Sequence, residues 1–148
     1  MYSLIGAITL FLILVTFHEY GHYSVARYFK IKILKFSIGF GPDLMNWKNK
    51  DNIKFSLSAI PFGGYVAFHD PADTANYNKL SQTEKNYVLA NRPALERSLV
   101  VLAGPIYNFI LAFFIFTIVG LFIPKQSDTV SAQIAELNTE NFYEVVAI

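Results

Sequence analysis

Two long stretches of this 148-residue chain contain no charged side chain, and they restrict the possible folds more than any other feature of the sequence. Residues 1–17 are uncharged, and an apolar helix that begins there can continue to about Arg27. Residues 98–123 are also uncharged. A helix needs about 20 apolar residues to cross a bilayer, so both stretches are long enough. The sequence therefore predicts a membrane protein with transmembrane helices at about 1–27 and 98–123.

The first apolar stretch is expected to remain in the mature protein rather than to be removed as a signal peptide. It has no basic residues at its start, and it runs into a polar motif at His18 instead of a small-residue cleavage site. The chain contains no cysteine, which excludes disulfides and metal sites built from thiolates.

The charged residues are distributed unevenly along the chain. Eleven of the 12 Lys and Arg residues lie between Arg27 and Arg97, against six acids in the same interval. After Gly120 there are one Lys and four acids. By the positive-inside rule this pattern predicts that residues 27–97 are cytoplasmic and that both termini are extracytoplasmic. We interpret the basic residues as a topology signal, and we expect no nucleic-acid partner.

The sequence His18-Glu19-Tyr20-Gly21-His22 lies where the first apolar stretch ends. Two histidines four residues apart on a helix share one face, so both imidazoles can reach one metal ion. The glutamate between them can take a proton from a water at the metal, as in the H-E-x-x-H motif of zinc peptidases. The alternative is a helix end with interfacial histidines and a solvated glutamate. The apolar context favours the metal site, because ionisable groups at membrane depth are costly and are usually functional.

The interval after the motif has the pattern of a small sheet. Apolar and polar residues alternate over residues 52–60, and a less regular alternation precedes Gly39. Residues 49–52 are typical of a hairpin turn, and Pro61, Gly63 and Gly64 are expected to end the strand before a short extended piece at 65–69. The edge of such a sheet can bind an extended peptide by β-addition. A sheet that only packs against the helices fits the pattern equally well.

The remaining segments are predicted to be a loop, short helices and the second span. Ser81 and Glu84 fit a capping box that opens an amphipathic helix to about Ala90. Pro93 is suited to the first turn of the next helix. Gly104-Pro105 should bend that helix. Asn108 is a lone amide that needs a partner on the first helix, the sheet or a substrate carbonyl, and a structural role is the expectation.

Four motifs together resemble the N-terminal part of a bacterial site-2 protease, an intramembrane zinc metalloprotease of the regulator-of-sigma-E type. In chain order they are His18-Glu19-Tyr20-Gly21-His22, Ser37-Ile38-Gly39-Phe40-Gly41-Pro42, Ile60-Pro61-Phe62-Gly63-Gly64-Tyr65-Val66 and Ala103-Gly104-Pro105-Ile106-Tyr107-Asn108-Phe109. They occur in the family's order and approximate spacing, and they cover residues 1 to about 120.

The resemblance implies a zinc endopeptidase of the bacterial inner membrane. It would cut transmembrane segments of other proteins, such as anti-sigma factors or signal-peptide remnants. It makes His18 and His22 zinc ligands and Glu19 the general base. It also implies a membrane-associated β-loop that receives the unwound substrate and so favours β-addition over mere packing. The implied β-loop residues are Gly39, Phe40, Gly41, Pro61, Gly63, Gly64 and Tyr65.

The expected fold class is membrane α+β, with an incomplete membrane domain at 1–123. Two transmembrane helices are joined by a cytoplasmic β-hairpin or β-loop at about 31–69 and by a loop with short amphipathic helices at 70–97. Residues 124–148 resemble the first part of a PDZ domain and are too few to close a core. The chain is therefore expected to be a truncated protease.

A catalytic zinc site takes three protein ligands, and the family supplies the third from a Leu-Asp-Gly motif on a later helix. No such motif occurs here. Asp43, His69, Asp70 and Asp73 are possible substitutes by position, although surface groups of this kind are usually only solvated. Two hypotheses follow: the chain is part of a zinc endopeptidase and is inactive in isolation, or it is a non-catalytic membrane protein that retains the β-loop.

Overall fold

The computed structural model describes residues 2–122. In chain order its elements are α1 (Tyr2–Tyr28), β1 (Ile33–Lys48), β2 (Lys54–Phe68), α2 (Thr74–Tyr77), α3 (Gln82–Lys85), a 3₁₀ turn (Leu89–Asn91) and α4 (Ala94–Phe122). The segment that resembles the start of a PDZ domain lies outside the described residues.

The two long helices are apolar enough to cross a membrane. The spans are Ser3–Tyr28 and Ala94–Phe122, with mean hydropathies of 1.7 and 2.3 in their most apolar windows. Only 6% and 17% of those windows are buried inside the protein, so these helices are unlike the core helices of a soluble domain. The expected layout of two apolar helices flanking an antiparallel β-hairpin is confirmed.

β1 and β2 form a two-stranded antiparallel sheet. The predicted turn joins them: the Asn49 side-chain oxygen accepts hydrogen bonds from the backbone N–H groups of Asp51 and Ile53, both at 3.0 Å. The strands are long and bent, so Lys35 pairs with Lys54 on one side and with Ala67 on the other. The first half of β1 is therefore enclosed by both halves of β2.

β2 does not end at Pro61, as the sequence predicted, but runs unbroken from Lys54 to Phe68. Phe40 pairs with Ile60 and Ile38 pairs with Gly64, so three residues of β2 stand opposite one residue of β1. Gly63 takes a φ of 130° in this bulge, a conformation that side chains other than glycine rarely adopt. The glycines and the proline bend the ladder instead of terminating it.

The hydrophobic core lies where the end of α1, the sheet and the start of α4 meet. Its buried members are Ala26, Ile31, Ile33, Ile53 and Val100. Three rings join α1 to the sheet one residue beyond the His-Glu motif: Tyr23 packs edge-on against Phe36 and Phe55, with centroids 5.5 and 5.6 Å apart. Such contacts add to simple area burial. The sheet is thereby fixed beside the motif.

The segment between the sheet and α4 differs in detail from its prediction. The capping box of Ser81 and Glu84 is present, but α3 ends at Lys85 instead of about Ala90. A further one-turn helix, α2, begins in the predicted loop, where Asp73 caps it by accepting from the Asn76 N–H. Helices this short depend on their caps and on burial of neighbours such as Val88, and the amphipathic pattern could not place their ends.

α4 begins directly after Pro93 and continues through Pro105 as one helix. Residues 113–122 form its last turns. Phe113 and Phe116 are exposed there, and the Thr117 hydroxyl donates to the Phe113 carbonyl oxygen at 2.8 Å. This bond satisfies a polar group that would otherwise be costly in an apolar span.

Candidate metal centre

α1 and α4 cross in close contact at Gly21. A Cβ at this position would lie 2.5 Å from the Ala103 carbonyl oxygen, so only glycine allows the two backbones to approach so closely. Small residues have this role where helices pack in membranes. One turn further on, the Ser24 hydroxyl donates to the Tyr107 hydroxyl at 2.8 Å. The crossing places α4 against the face of α1 that carries the motif.

The two histidines of the motif meet at one point, beside Gly104 of α4. Their rings are edge-on with centroids 4.8 Å apart. A Cβ at Gly104 would lie 2.5 Å from His22 Nε2 and 2.7 Å from His18 Nε2. Both nitrogens therefore border the same small space, and that space exists because Gly104 has no side chain.

The remaining ring nitrogens of the two histidines face groups on α4. His22 Nδ1 lies 2.7 Å from the Val100 carbonyl oxygen, which can only accept a hydrogen bond. In the neutral imidazole of His22 the proton is therefore at Nδ1, and Nε2 has a free lone pair toward Gly104. His18 Nδ1 lies 3.4 Å from the Asn108 side-chain nitrogen. Of the partners predicted for Asn108, the structure selects the first helix.

A cavity of about 310 Å³ opens beside the histidine pair. It is lined by Phe11, Leu14, Val15, His18, Glu19, Gly63, Gly64 and Asn108. A Cβ at Gly64 would lie 3.1 Å from Glu19 Cγ and 2.8 Å from the Ser37 carbonyl oxygen. The backbone of β2 therefore passes close to the Glu19 side chain because Gly64 lacks one of its own.

The other predicted β-loop residues do not line this cavity. The Phe40 ring stacks on the Tyr65 ring at 6.1 Å and 11°, and it also covers Gly63. Gly39 has a φ of 87° and packs against the backbone at Ser58. The remaining two residues are exposed: Gly41, which lies against the Ile60 side chain, and Pro61.

The two histidine side chains at the centre fit zinc, but they are only part of a ligand set. Zinc binds imidazole nitrogen at about 2.0–2.1 Å, and two Nε2 atoms that share one space supply two ligands. Within residues 2–122, no group of three His, Cys, Asp or Glu side chains is placed to hold a metal ion. The described residues therefore supply a histidine pair with an adjacent carboxylate, not a complete ligand set.

The substitute ligands considered from sequence have other contacts. Asp43 pairs with Lys35 at 2.8 Å and Lys54 at 2.7 Å, and these hydrogen bonds hold the pKa of its carboxyl well below the usual range. Burial, and then the charge of Lys32, lower the pKa of His69. Asp70 and Asp73 accept backbone N–H groups of the following turns. None of the four joins the histidine pair.

Sequence reasoning missed the parts of the centre that carry no reactive group. Gly21 and the Val100 carbonyl were not considered, and Gly104 was assigned only a bend. The small residues at 21 and 104 were a usable signal, since close helix crossings in membranes need them. The Val100 carbonyl had no signal at all, because any residue provides one.

Comparison with known proteins agrees with this geometry. Residues 6–147 match the family Peptidase family M50. A protein named "putative zinc metalloprotease" from Rickettsia conorii is 40% identical over 116 residues, which are 78% of this chain and 32% of that protein. A protein of the same description from Agrobacterium fabrum is 40% identical over 131 residues, covering 84% and 35%. A third, from Synechocystis, is 36% identical over 149 residues, covering 88% and 37%.

The chain spans about a third of the length of the curated relatives it matches. The match nevertheless includes every motif on which the resemblance was based. The two apolar helices and the family together indicate a membrane protein, and the names of the relatives indicate zinc. The chain belongs to peptidase family M50, the site-2 protease family.

Proposed function

We propose that this chain carries the general base and two zinc ligands of an endopeptidase that cuts transmembrane segments of other proteins. The observation that supports this most is the convergence of His18 and His22 Nε2 beside Gly104, with Glu19 on the adjoining cavity. These groups belong to an apolar helix, where a histidine pair and a carboxylate are costly unless they are used.

The residues of the centre divide the chemistry between them. His18 and His22 would hold zinc through Nε2. Zinc supplies a Lewis acid that polarises a carbonyl and lowers the pKa of bound water to about 7. Glu19 lines the same cavity and is the only carboxylate among its lining residues. It accepts a proton from the attacking water and returns it to the leaving amine. The apolar side chains of Phe11 and Leu14 exclude bulk water from one wall.

The neighbouring strand is a suitable place for an extended substrate. A transmembrane helix exposes its peptide bonds only after it unwinds, and the unwound backbone then needs hydrogen-bond partners. β2 at Gly63 and Gly64 borders the cavity, and an added strand there would pass Glu19. We infer that the substrates are transmembrane proteins of the bacterial inner membrane, with anti-sigma factors and signal-peptide remnants as the kind expected.

Replacement of the motif residues separates metal binding from catalysis. His18→Ala and His22→Ala each remove one of two imidazole ligands, so stoichiometric zinc binding by the chain in detergent should be lost. Glu19→Gln in the full-length gene product should retain zinc and lose cleavage of a model transmembrane substrate by at least about 100-fold, the usual range for a general base. Zinc content by mass spectrometry and cleavage by gel electrophoresis are the measurements.

Asp70→Asn is a matched control, because this exposed carboxylate lies on a loop and does not line the cavity. It should leave zinc content and cleavage unchanged. Full zinc retention in both alanine variants would disprove the metal assignment. Cleavage at the normal rate by Glu19→Gln would show that another group is the base.

A further inference from the structure

Asn108 lies next to the histidine pair and has a side-chain oxygen that is unpaired among the described residues. It lies on α4, its side-chain nitrogen is 3.4 Å from His18 Nδ1, and it lines the same cavity as Glu19. Its side-chain oxygen is fully enclosed and has no hydrogen-bond partner among the described residues. A buried carbonyl oxygen without a partner is destabilising.

A half-turn of the Asn108 amide would give this oxygen a partner, the Nδ1 position of His18. The oxygen and nitrogen of a carboxamide have nearly the same shape, so a rotation exchanges them without a change in packing. The oxygen then faces His18 Nδ1. A neutral imidazole has one N–H and one bare nitrogen, and with this arrangement the N–H must be at Nδ1.

The two orientations have opposite consequences for a metal. With the oxygen toward His18, Nδ1–H donates to Asn108 and Nε2 has a free lone pair on the side of Gly104. With the nitrogen toward His18, the bare nitrogen is Nδ1, and Nε2 carries a proton in the space where a metal would bind. His22 already has the first arrangement, because its Nδ1 donates to the Val100 carbonyl oxygen. A pair that binds one ion needs both Nε2 atoms bare.

We propose that Asn108 is a positioning residue that accepts the Nδ1–H of His18 through its side-chain oxygen and so fixes Nε2 as the metal-binding nitrogen. This inference rests on the proposed zinc centre for its consequence but not for the hydrogen bond itself, which requires no metal. The Nδ1–H of His18 then donates to a side-chain oxygen, as the Nδ1–H of His22 donates to a backbone oxygen.

The first test uses the unaltered chain without metal. The chain has three histidines, so ¹⁵N-histidine NMR in micelles gives few signals, and His69→Gln identifies the one outside the centre. At about pH 8 the ¹⁵N shifts distinguish the two tautomers of a neutral imidazole. We expect both His18 and His22 to be protonated at Nδ1. Protonation of His18 at Nε2 would overturn the proposal whatever zinc does.

The second test replaces the acceptor. Asn108→Leu removes it at similar size, so the Nε2–H form of His18 should appear and the zinc Kd should rise by about 10- to 100-fold, the usual effect of losing such a partner. Asn108→Asp keeps an acceptor and should restore both readouts. His22 is the internal control, because no side-chain change removes the Val100 carbonyl.

The outcomes distinguish the possible failures. An unchanged His18 tautomer and zinc Kd in Asn108→Leu would overturn the proposal, as would failure of Asn108→Asp to restore them while His22 keeps its signal. If Asn108→Leu does not fold, the unaltered chain and Asn108→Asp still decide. Nδ1–H on His18 without any zinc binding would overturn the zinc centre and support the hydrogen bond.

Discussion

Single side chains, and in one case the lack of one, set the geometry of the centre. His18 and His22 are adjacent because four residues make about one helical turn, and this spacing is visible in the sequence. Where their Nε2 atoms meet depends on Gly104, which is 86 positions from His18 by the numbering and contributes no polar group. The histidine pair was predictable, and the space it shares was not.

Gly104→Ala should therefore abolish zinc binding without removing any ligand. The new methyl carbon would lie less than 3 Å from both Nε2 atoms, where it displaces the rings and occupies the shared space. We expect a loss of at least about 100-fold in zinc affinity, since one lost ligand partner alone costs 10- to 100-fold. Zinc titration of the variant in micelles measures this.

Gly6→Ala and Gly120→Ala are the controls for that change. They lie on α1 and α4 respectively, and a Cβ at either position meets nothing within 4 Å. Both should bind zinc normally. Normal zinc affinity in Gly104→Ala as well would mean that the metal does not bind between the two Nε2 atoms.

The sheet depends on contacts that its alternation of apolar and polar residues did not predict. Alternation over β2 predicted buried apolar residues, yet Ser56 and Ser58 are the buried ones and Leu57 is 44% exposed. The serines bond to Ser37 of β1, at 2.9 and 3.0 Å, and so fill the interior of the bent sheet with a polar network. Buried polar groups are tolerated because each has a partner.

Asp43 closes this network, and its ion pairs predict a pH dependence of stability. Hydrogen bonds from Lys35, and then from Lys54, lower the pKa of the Asp43 carboxyl below its unfolded value of about 3.9. A lowered pKa means that this stabilisation is present above the unfolded value and is lost as the pH falls through the folded value. Asp43→Asn should therefore unfold at a lower temperature than the unaltered chain at pH 7.

The difference between the two unfolding temperatures should shrink as the pH falls from about 5 toward the lower folded pKa. Thermal unfolding in micelles over this range measures it, with Asp70→Asn, an exposed acid without an ion pair among the described residues, as the control. A constant difference between pH 7 and pH 3 would show that the Asp43 charge is not the cause.

The exposed apolar helices and the distribution of charges determine the orientation that we expect for the whole chain in a membrane. The apolar helices expose most of their surface, which lipid can cover, and the basic residues lie between them. The positive-inside rule then leads us to propose that the loop at 27–97 is cytoplasmic in a bacterial inner membrane. Water and the metal would reach the histidine pair from that side.

Cysteine labelling can test this orientation directly, since the chain contains no cysteine of its own. Lys50→Cys places a thiol in the exposed turn of the sheet, and Ser3→Cys places one at the start of α1. A membrane-impermeant maleimide should label the first only in inverted vesicles and the second only in right-side-out vesicles. The reverse pattern would place the loop outside the cell.

The local sequence was sufficient for the features that depend on neighbouring residues. The uncharged stretches predicted both long helices. The spacing of His18, Glu19 and His22 predicted the reactive face of the first helix, and the residues from Asn49 predicted the turn. Each depends on contacts within a few residues, where helix periodicity and turn chemistry act. The four motifs and their order identified the family. Such an identification rests on similarity to known sequences and does not require the fold to be derived from the residues.

The features that join distant segments required the folded chain. The continuous bulged course of β2, the short α3 and the polar interior of the sheet result from pairing between residues far apart in sequence. So do the approach of Gly64 to Glu19 and the contact of Asn108 with His18. Their energies depend on which backbones come close. Small residues such as Gly104 permit a close approach, but only the folded chain decides which distant segments meet there.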